Sequence, residues 1–170
     1  NIFFNTPVRR KFLKTPATEG GYIADFMQHM ALSVPDVAFQ FIVNGQTKFF
    51  TSGNGKTDEI IYRIYGKDVI EHMIPIEAQG EGIRITGFLG KPILNRANRS
   101  YEIFFVNKRY IKSTLISSAV EEGYKTFLMQ HKYPFVVLHF EMDPTRIDVN
   151  VHPTKMDIRM NEPGYVLSFI

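Results

Sequence analysis

The segment RIDVNVHPTK, residues 146–155, alternates strictly between apolar and polar side chains before it reaches a proline. Successive side chains of a β-strand point to opposite faces, so this alternation predicts a strand with one buried face. Pro153 cannot donate to a strand ladder, so we expect the strand to end there. Lys155 then lies just beyond a rigid strand end, where its ammonium group either remains in solvent or reaches a phosphate.

The regions before this segment predict alternating strands and helices. Residues 135–142 are almost entirely apolar, which is typical of a strand buried on both faces. Further strands are predicted over 72–78, 83–89 and 101–106, and helices over 57–65 and 113–129, the last with Leu115 and Phe127 turned inward. This mixture indicates an α+β fold in which helices pack on a mixed sheet.

The first third of the chain predicts a long helix and a hairpin. Thr15 or Thr18 can cap the helix, and Pro35 ends it. Its apolar residues repeat at three and four positions, so we expect them to form core: they are Ile23, Phe26, Met27, Met30, Ala31 and Val34. Strands over 37–43 and 46–51 flank Asn44-Gly45, a favoured two-residue hairpin turn.

A glycine-rich segment, residues 53–56, is the most linker-like part of the chain, and we place a domain border there. The predicted domains are residues 1–52 and 57–170. Gly55-Lys56-Thr57 partly matches a phosphate-binding P-loop, but the first glycine of that motif is replaced by Phe50. We therefore interpret the segment as a linker, with Thr57 capping the next helix.

Three motifs stand out: FFNTPVRRKFLK at residues 3–14, FVNKRYIK at residues 105–112 and IDVNVHPTKMDIR at residues 147–159. Together they resemble the hallmark motifs of the MutL family of DNA mismatch repair proteins. The chain departs from the family pattern at a few positions: Val8 for alanine, Lys108 for glycine, Thr114 for a basic residue, Asp157 for glutamate and Met160 for phenylalanine.

The resemblance implies two domains with different functions. Residues 1–52 would be the carboxy-terminal end of a GHKL-type ATPase domain, whose ATP-binding motifs would lie outside this chain. Residues 57–170 would be a transducer domain with the fold of ribosomal protein S-five domain 2, including a left-handed βαβ crossover. The chain is therefore expected not to be an enzyme on its own.

The resemblance also implies a role for Lys155. In such ATPases a lysine of the second domain touches the γ-phosphate of the nucleotide bound to the first, and Lys155 matches that position. Asn150, His152 and Pro153 would support its loop. The intact protein would use ATP with Mg²⁺, whereas this chain alone is expected to bind neither. Its partners would be a MutS-type mismatch sensor and a second MutL-like subunit, in a homodimer or heterodimer.

Three basic clusters are candidates for sequence-independent DNA contact. The third, Lys108, Arg109 and Lys112, is favoured because its family match falls on a turn at a strand end. A second comprises Arg96 and Arg99. The first contains Asn5, Arg9, Arg10 and Lys11, which either contact DNA or hold the ATPase domain to its neighbour.

Composition sets looser limits. The 170 residues carry a net charge of +3 and no cysteine, so disulfides and thiolate zinc sites are excluded. The five histidines lack metal-ligand spacing, and no metal site is predicted. No apolar run is long enough for a membrane span, so we expect an intracellular protein, cytoplasmic if bacterial and nuclear if eukaryotic. The alternative function is a stand-alone RNA-binding module of the same fold.

Overall fold

The computed structural model describes residues 3–80, 82–148, 159–160 and 164. The chain begins with a short helix α1 (Pro7–Arg10) and a long helix α2 (Pro16–Ser33). The Thr15 hydroxyl caps α2 by accepting from the Thr18 N–H, as predicted. Strands β1 (Gln40–Val43) and β2 (Gln46–Phe50) follow, joined by Asn44 and Gly45, both with positive φ.

The predicted core stripe of α2 is wrong in part. Ile23 and Phe26 are 52% and 62% exposed, whereas the buried residues of the helix cluster near its end at His29, Leu32 and their neighbours. The helix contacts α3, β1 and β6, and these neighbours cover only one side of it. Half of the predicted stripe, namely Ile23, Phe26 and Met30, is therefore exposed, whereas Met27, Ala31 and Val34 are buried or partly buried.

The glycine segment turns the chain tightly from β2 into α3 (Thr57–Tyr65). Gly53 has φ +69, and a Cβ atom there would lie 2.6 Å from the Ala38 nitrogen, so a larger residue does not fit. The residue before α3 is Lys56, and Thr57 is its first helical residue rather than its cap. One buried cluster contains residues from both sides of this segment, including Leu32, Phe41, Ile61 and Phe105. The domain border at 53–56 stays a prediction.

The rest of the chain builds a five-stranded mixed sheet. Its elements are α4 (Lys67–Ile70), β3 (Met73–Gly80), β4 (Ile83–Gly90), β5 (Glu102–Val106), β6 (Arg109–Ile111), α5 (Thr114–Tyr124) and β7 (Val136–Met142). The strand order is β3-β4-β7-β5-β6, with β5 and β7 parallel and the other neighbours antiparallel. This arrangement confirms the predicted α+β class with a mixed sheet.

Helix α5 is shorter than predicted. It ends at Tyr124 rather than near residue 129, so Phe127 leaves the helical stripe and is 68% exposed. Leu115 is also partly exposed, at 37%. Alternating strand residues place two hydrophobic clusters on opposite faces of the sheet, one under α5 and one under α2 and α3.

Beyond β7, two short strands pair in antiparallel register. Strand β8 (Ile147–Asp148) matches Ile147 to Met160 and Asp148 to Arg159 of β9 (Arg159–Met160). Within the described ranges no helix is long and apolar enough to cross a membrane.

Candidate functional site

The turn between β5 and β6 presents the third basic cluster. Asn107 and Lys108 both have positive φ, +46 and +66, which is the backbone of a type I′ hairpin turn. Lys108 therefore occupies the conformation that the glycine of related sequences would adopt more easily. The turn exists in this chain despite the substitution.

Asn107 fastens this turn to the end of β7. Its Oδ1 accepts from the Met142 N–H and its Nδ2 donates to the Met142 carbonyl, both at 2.9 Å. The Asn107 N–H also donates to the Phe140 carbonyl at 2.9 Å. Asn107 was missed in the sequence analysis, although an asparagine before a required positive φ is a recognisable turn signal.

Lys108, Arg109 and Lys112 are exposed around this turn. Together with Tyr22 and Phe26 of α2 they line one cleft. Lys108 Nζ lies 4.0 Å from Asp36 Oδ2 in a solvent-exposed pair, which contributes little to stability. Neither Arg109 nor Lys112 has an ion-pair partner among the residues that the structure describes. These three cations are thus available to phosphates.

Arg96 is half-buried and is used within the fold. Its Nη1 donates to the carbonyls of Leu94 and Asn95 at 3.1 and 3.3 Å. Its guanidinium lies over the rings of Tyr101 and Phe135, 4.7 and 5.2 Å from their centroids. Such cation–π contacts stabilise the loop, and they leave Arg96 less free for a ligand than the hairpin cations.

Arg99 is exposed, but its guanidinium already has a partner within the fold. Its Nε and Nη2 donate to the two carboxylate oxygens of Glu121 at 2.5 and 3.0 Å. Arg99 and Lys112 nevertheless line the same pocket between α2, β5, β6 and α5. The structure therefore places Arg99 of the second basic cluster near Lys112 of the third.

The first basic cluster lies at α1. Asn5, Arg9 and Lys11 are exposed, and the side chain of Arg10 lies outside the described part of the molecule. Asn150, His152, Pro153 and Lys155 also lie outside the described residues, so their predicted roles stay predictions. The β8–β9 pairing brings the residues on either side of that segment, Asp148 and Arg159, together.

The sequence analysis did not single out two ionisable side chains of the sheet, one partly buried (His139) and one buried (Glu102). His139 of β7 stacks on Phe105 at 4.8 Å, and burial lowers its pKa to about 4. Glu102 at the start of β5 is 5% exposed, and burial, reinforced by the Glu121 charge, raises its pKa to about 7. Glu102 has no sequence signal, because burial of a polar residue depends on the tertiary fold. His139 lies in the apolar run 135–142, which predicts a buried strand.

Comparison with known proteins identifies the family. Residues 61–170 match the family model described as the C-terminal domain of DNA mismatch repair protein. The chain is 51% identical over 161 residues to a DNA mismatch repair protein MutL of Agathobacter rectalis, covering 95% of this chain and 25% of the relative. It is 43% identical to the MutL of Clostridium tetani, covering all of this chain and 27% of the relative. The chain spans about a quarter of the length of these relatives.

Solved structures agree with this result. The ATPase domain of Aquifex aeolicus MutL complexed with ADP is 25% identical, with a TM-score of 0.62 over 84% of this chain and 50% of that one. The N-terminal domain of a DNA repair protein has a TM-score of 0.77 over 98% of this chain and 56% of that one, and at 22% identity it supports the fold alone. The chain belongs to the MutL family of DNA mismatch repair proteins.

Proposed function

We propose that this chain couples an ATP site to DNA contact in a MutL-type mismatch repair protein. Its main support is the group of three exposed cations on the β5–β6 hairpin, in a chain of this family. One similar structure is named as the MutL ATPase domain complexed with ADP, and it aligns with 84% of this chain. Relatives named as DNA mismatch repair proteins favour this function over an RNA-binding module.

The proposed DNA contact is electrostatic and independent of sequence. Lys108, Arg109 and Lys112 each neutralise a phosphate, and bound counterions are released. The logarithm of the affinity then falls with the logarithm of salt concentration by about 0.9 per contact, or about 2.7 for three. Arg96 and Arg99 contribute less because their guanidinium groups already have partners inside the fold.

The proposed ATP role belongs to Lys155. Its ammonium would contact the γ-phosphate and oppose the charge that develops on the transferred group. In the described part of the chain no group of three His, Cys, Asp or Glu side chains could hold a metal ion. As the family resemblance implies, we assign the ATP-binding residues and the Mg²⁺ ligands to the portion of the MutL relatives that this chain does not span. Within this chain, Lys155 is the residue that would reach the nucleotide.

The hairpin connects these two activities. Asn107 ties the turn to Met142, and five residues later the chain enters β8, which leads toward Lys155. We infer that occupation of the ATP site shifts the position of the hairpin cations and so changes DNA affinity. The intact protein would act with a MutS-type sensor and a second MutL-like subunit, in the cytoplasm if the source is bacterial like these relatives.

The DNA contact is tested by replacing Lys108, Arg109 and Lys112 with glutamine and measuring DNA affinity against salt. We expect the salt slope to fall by about 2.7. The matched control replaces Lys67, Lys125 and Lys132, which are exposed elsewhere, and changes the net charge equally. Equal losses in the two triple variants would show that only net charge matters and would contradict the proposed site.

The ATP role is tested in a protein of the full MutL length that contains this chain. We expect Lys155→Ala to lower steady-state ATP hydrolysis by about a hundredfold at matched nucleotide occupancy, since one lost charge contact typically costs about 2.7–4 kcal/mol in the transition state. Lys67→Ala, in an exposed pair with Glu71, is the control. An unchanged rate in Lys155→Ala would remove this lysine from the mechanism.

A further inference from the structure

A cleft of about 700 Å³ lies between helix α2 and the β5–β6 hairpin. The hairpin side contributes Lys108, Arg109 and Lys112, the hairpin cations. Helix α2 contributes the rings of Tyr22 and Phe26. The cations have a role in the proposed DNA contact, whereas the two rings have none.

The two rings are far more exposed than aromatic side chains usually are. Tyr22 is 63% and Phe26 is 62% exposed. They are four positions apart on α2, so they project from the same face of the helix, about 6 Å apart along its axis. Met30, one turn further on, is 37% exposed and extends the row along the same cleft. A contiguous apolar row of this kind, bordered by charged groups, marks a surface that binds a partner.

The rings and the cations are held together by packing. His29 of α2 stacks on Tyr110 of β6, with their ring centroids 4.0 Å apart and their planes 16° from parallel. His29 is only 7% exposed, so this stack fixes α2 against the hairpin. The amide of Asn107 in turn fastens the hairpin to Met142. The cleft therefore has two walls whose separation is set by the fold.

The cleft is positively charged. Asp25 is the one carboxylate among the described residues that line it, against three cations. Asp25 is 70% exposed and lies 3.6 Å from the Nδ1 atom of His29. The 4.0 Å pair between Lys108 and Asp36 is exposed to solvent and too weak to hold the lysine. An apolar polypeptide would leave the cations unused, so the ligand that suits both walls is a polyanion that also carries planar apolar groups.

We propose that this cleft binds single-stranded DNA, with unpaired bases stacked on Tyr22 and Phe26 and phosphates held by the hairpin cations. This inference rests on the proposed DNA contact and names the form of DNA that the site prefers. Proteins that bind single strands combine a positively charged groove with aromatic side chains on which bases stack. In a duplex only the edges of the bases are accessible in the grooves, so duplex DNA gains the phosphate contacts alone.

The first test compares a single strand with a duplex. The ligands are an oligothymidine of about 20 nucleotides, longer than the site of one binding module, and a duplex of the same length. Tyr22→Ala and Phe26→Ala should each weaken oligothymidine binding by at least about fivefold, the lower limit for one base stacked on an aromatic side chain. Duplex binding is the reference, because it reports the phosphate contacts. Phe127→Ala is the matched control, since this ring is 68% exposed and lines a different pocket.

Phe26→Leu separates stacking from packing. Leucine keeps the apolar contact and the helix but has no flat π-face, so this variant should lose as much oligothymidine affinity as Phe26→Ala. Wild-type affinity in Phe26→Leu would show that the ring acts as a packing group and would overturn the stacking role.

A fluorescence measurement detects the stacked base directly. The chain contains no tryptophan, so Phe26→Trp introduces a single indole at this site. Saturating oligothymidine should quench its emission, both in this chain and in a protein of the full MutL length that contains it. Phe127→Trp should show no quenching. Absence of quenching in Phe26→Trp would show that no base reaches the ring, and would overturn the proposal.

Salt dependence distinguishes this site from the DNA contact on which it rests. Replacing the hairpin cations with glutamine should lower the salt slope for oligothymidine by about 2.1, at about 0.7 per phosphate of a single strand, whereas the ring variants should keep the wild-type slope. A wild-type slope in the triple variant would overturn both proposals. A reduced slope there, with wild-type affinity in both ring variants, would overturn the stacking alone. Tighter binding of oligouridine than of oligothymidine would assign the cleft to RNA instead.

Discussion

The side-chain amide of Asn107 exchanges two hydrogen bonds with the backbone of Met142, each 2.9 Å long. This pair joins residues 35 positions apart and locks the β5–β6 turn to the end of β7. The same turn carries Lys108 and Arg109. The geometry of the turn therefore depends on the Asn107–Met142 hydrogen bonds, in which neither Lys108 nor Arg109 takes part.

Asn107→Ala should destabilise the protein by about 2–3 kcal/mol. Two part-buried hydrogen bonds are lost, at about 1 kcal/mol each, and alanine is less favourable than asparagine at φ +46. Urea unfolding measures the change. Asn107→Gly is the matched variant, because it loses the same hydrogen bonds without the positive-φ penalty, and it should be less destabilised than the alanine variant. Equal stability of Asn107→Ala and wild type would contradict the role given to this amide.

Lys108→Gly should raise stability and lower DNA affinity. The lysine has φ +66, which costs a side chain about 1 kcal/mol relative to glycine, although part of this gain is offset by the greater entropy of glycine in the unfolded chain. The exposed pair with Asp36 is too weak to reverse the sign. The salt slope of DNA binding should fall by about 0.9.

Lys108→Asn separates the two effects, because asparagine tolerates positive φ without carrying charge. Its DNA affinity should match that of Lys108→Gly. If Lys108→Asn instead retained the wild-type salt slope, Lys108 would make no phosphate contact.

Local sequence patterns predicted the elements better than their arrangement. The Asn44-Gly45 turn, the Thr15 cap and the apolar run of β7 follow from short-range rules, and the structure confirms them. The parallel pairing of β5 with β7 joins residues more than 30 positions apart, and no local pattern encodes it. The exposed face of α2 was mistaken for core because periodicity shows that a helix has an apolar face without showing what covers it.

The candidate site was likewise predicted only where local sequence features define it. The cations at Lys108, Arg109 and Lys112 were found from the sequence, since a basic cluster on a turn is a local feature. Burial of Glu102 was missed, because an isolated glutamate in a strand is ordinarily assumed to face solvent. His139 lies in the apolar run that predicted a buried strand, but its lowered pKa was not predicted. Their altered pKa values arise from the layers packed above and below the sheet.

His139 should make the protein sensitive to acid. Burial holds its pKa at about 4 in the folded state, whereas the unfolded value is about 6.5. The unfolded state therefore binds the proton first, and the free energy of unfolding falls by about 3 kcal/mol as pH drops from 6.5 to 4. His139→Leu should remove this part of the pH dependence in urea titrations at several pH values. The same pH slope in the variant would assign the acid sensitivity to other groups.

Glu102 should have the opposite effect to His139 and lower the stability of the protein as pH rises. Its folded pKa of about 7 lies above the usual glutamate value of 4.5, so the folded state keeps the proton to higher pH than the unfolded state does. The stabilisation is complete below pH 4.5 and is lost as pH rises through 7, a change of about 3 kcal/mol. Glu102→Gln should therefore unfold at higher urea than wild type at pH 8, while Glu122→Gln should not. Loss of stability in Glu102→Gln at pH 8 would show that the carboxylate has a compensating partner.

Gly87 should tolerate no side chain, because β4 approaches β7 closely at this residue. Its φ is +141, and a Cβ atom built there would lie 2.0 Å from the Val137 carbonyl oxygen. Backbone in the centre of the sheet cannot move aside as a flexible side chain can, so Gly87→Ala should destabilise by more than about 3 kcal/mol. Gly123→Ala is the control, since its Cβ meets nothing within 4 Å at a helical position of α5, and helix propensity predicts a gain of up to about 1 kcal/mol. Urea unfolding of both variants should thus shift in opposite directions, and a neutral Gly87→Ala would mean that β4 and β7 are farther apart in solution than this register allows.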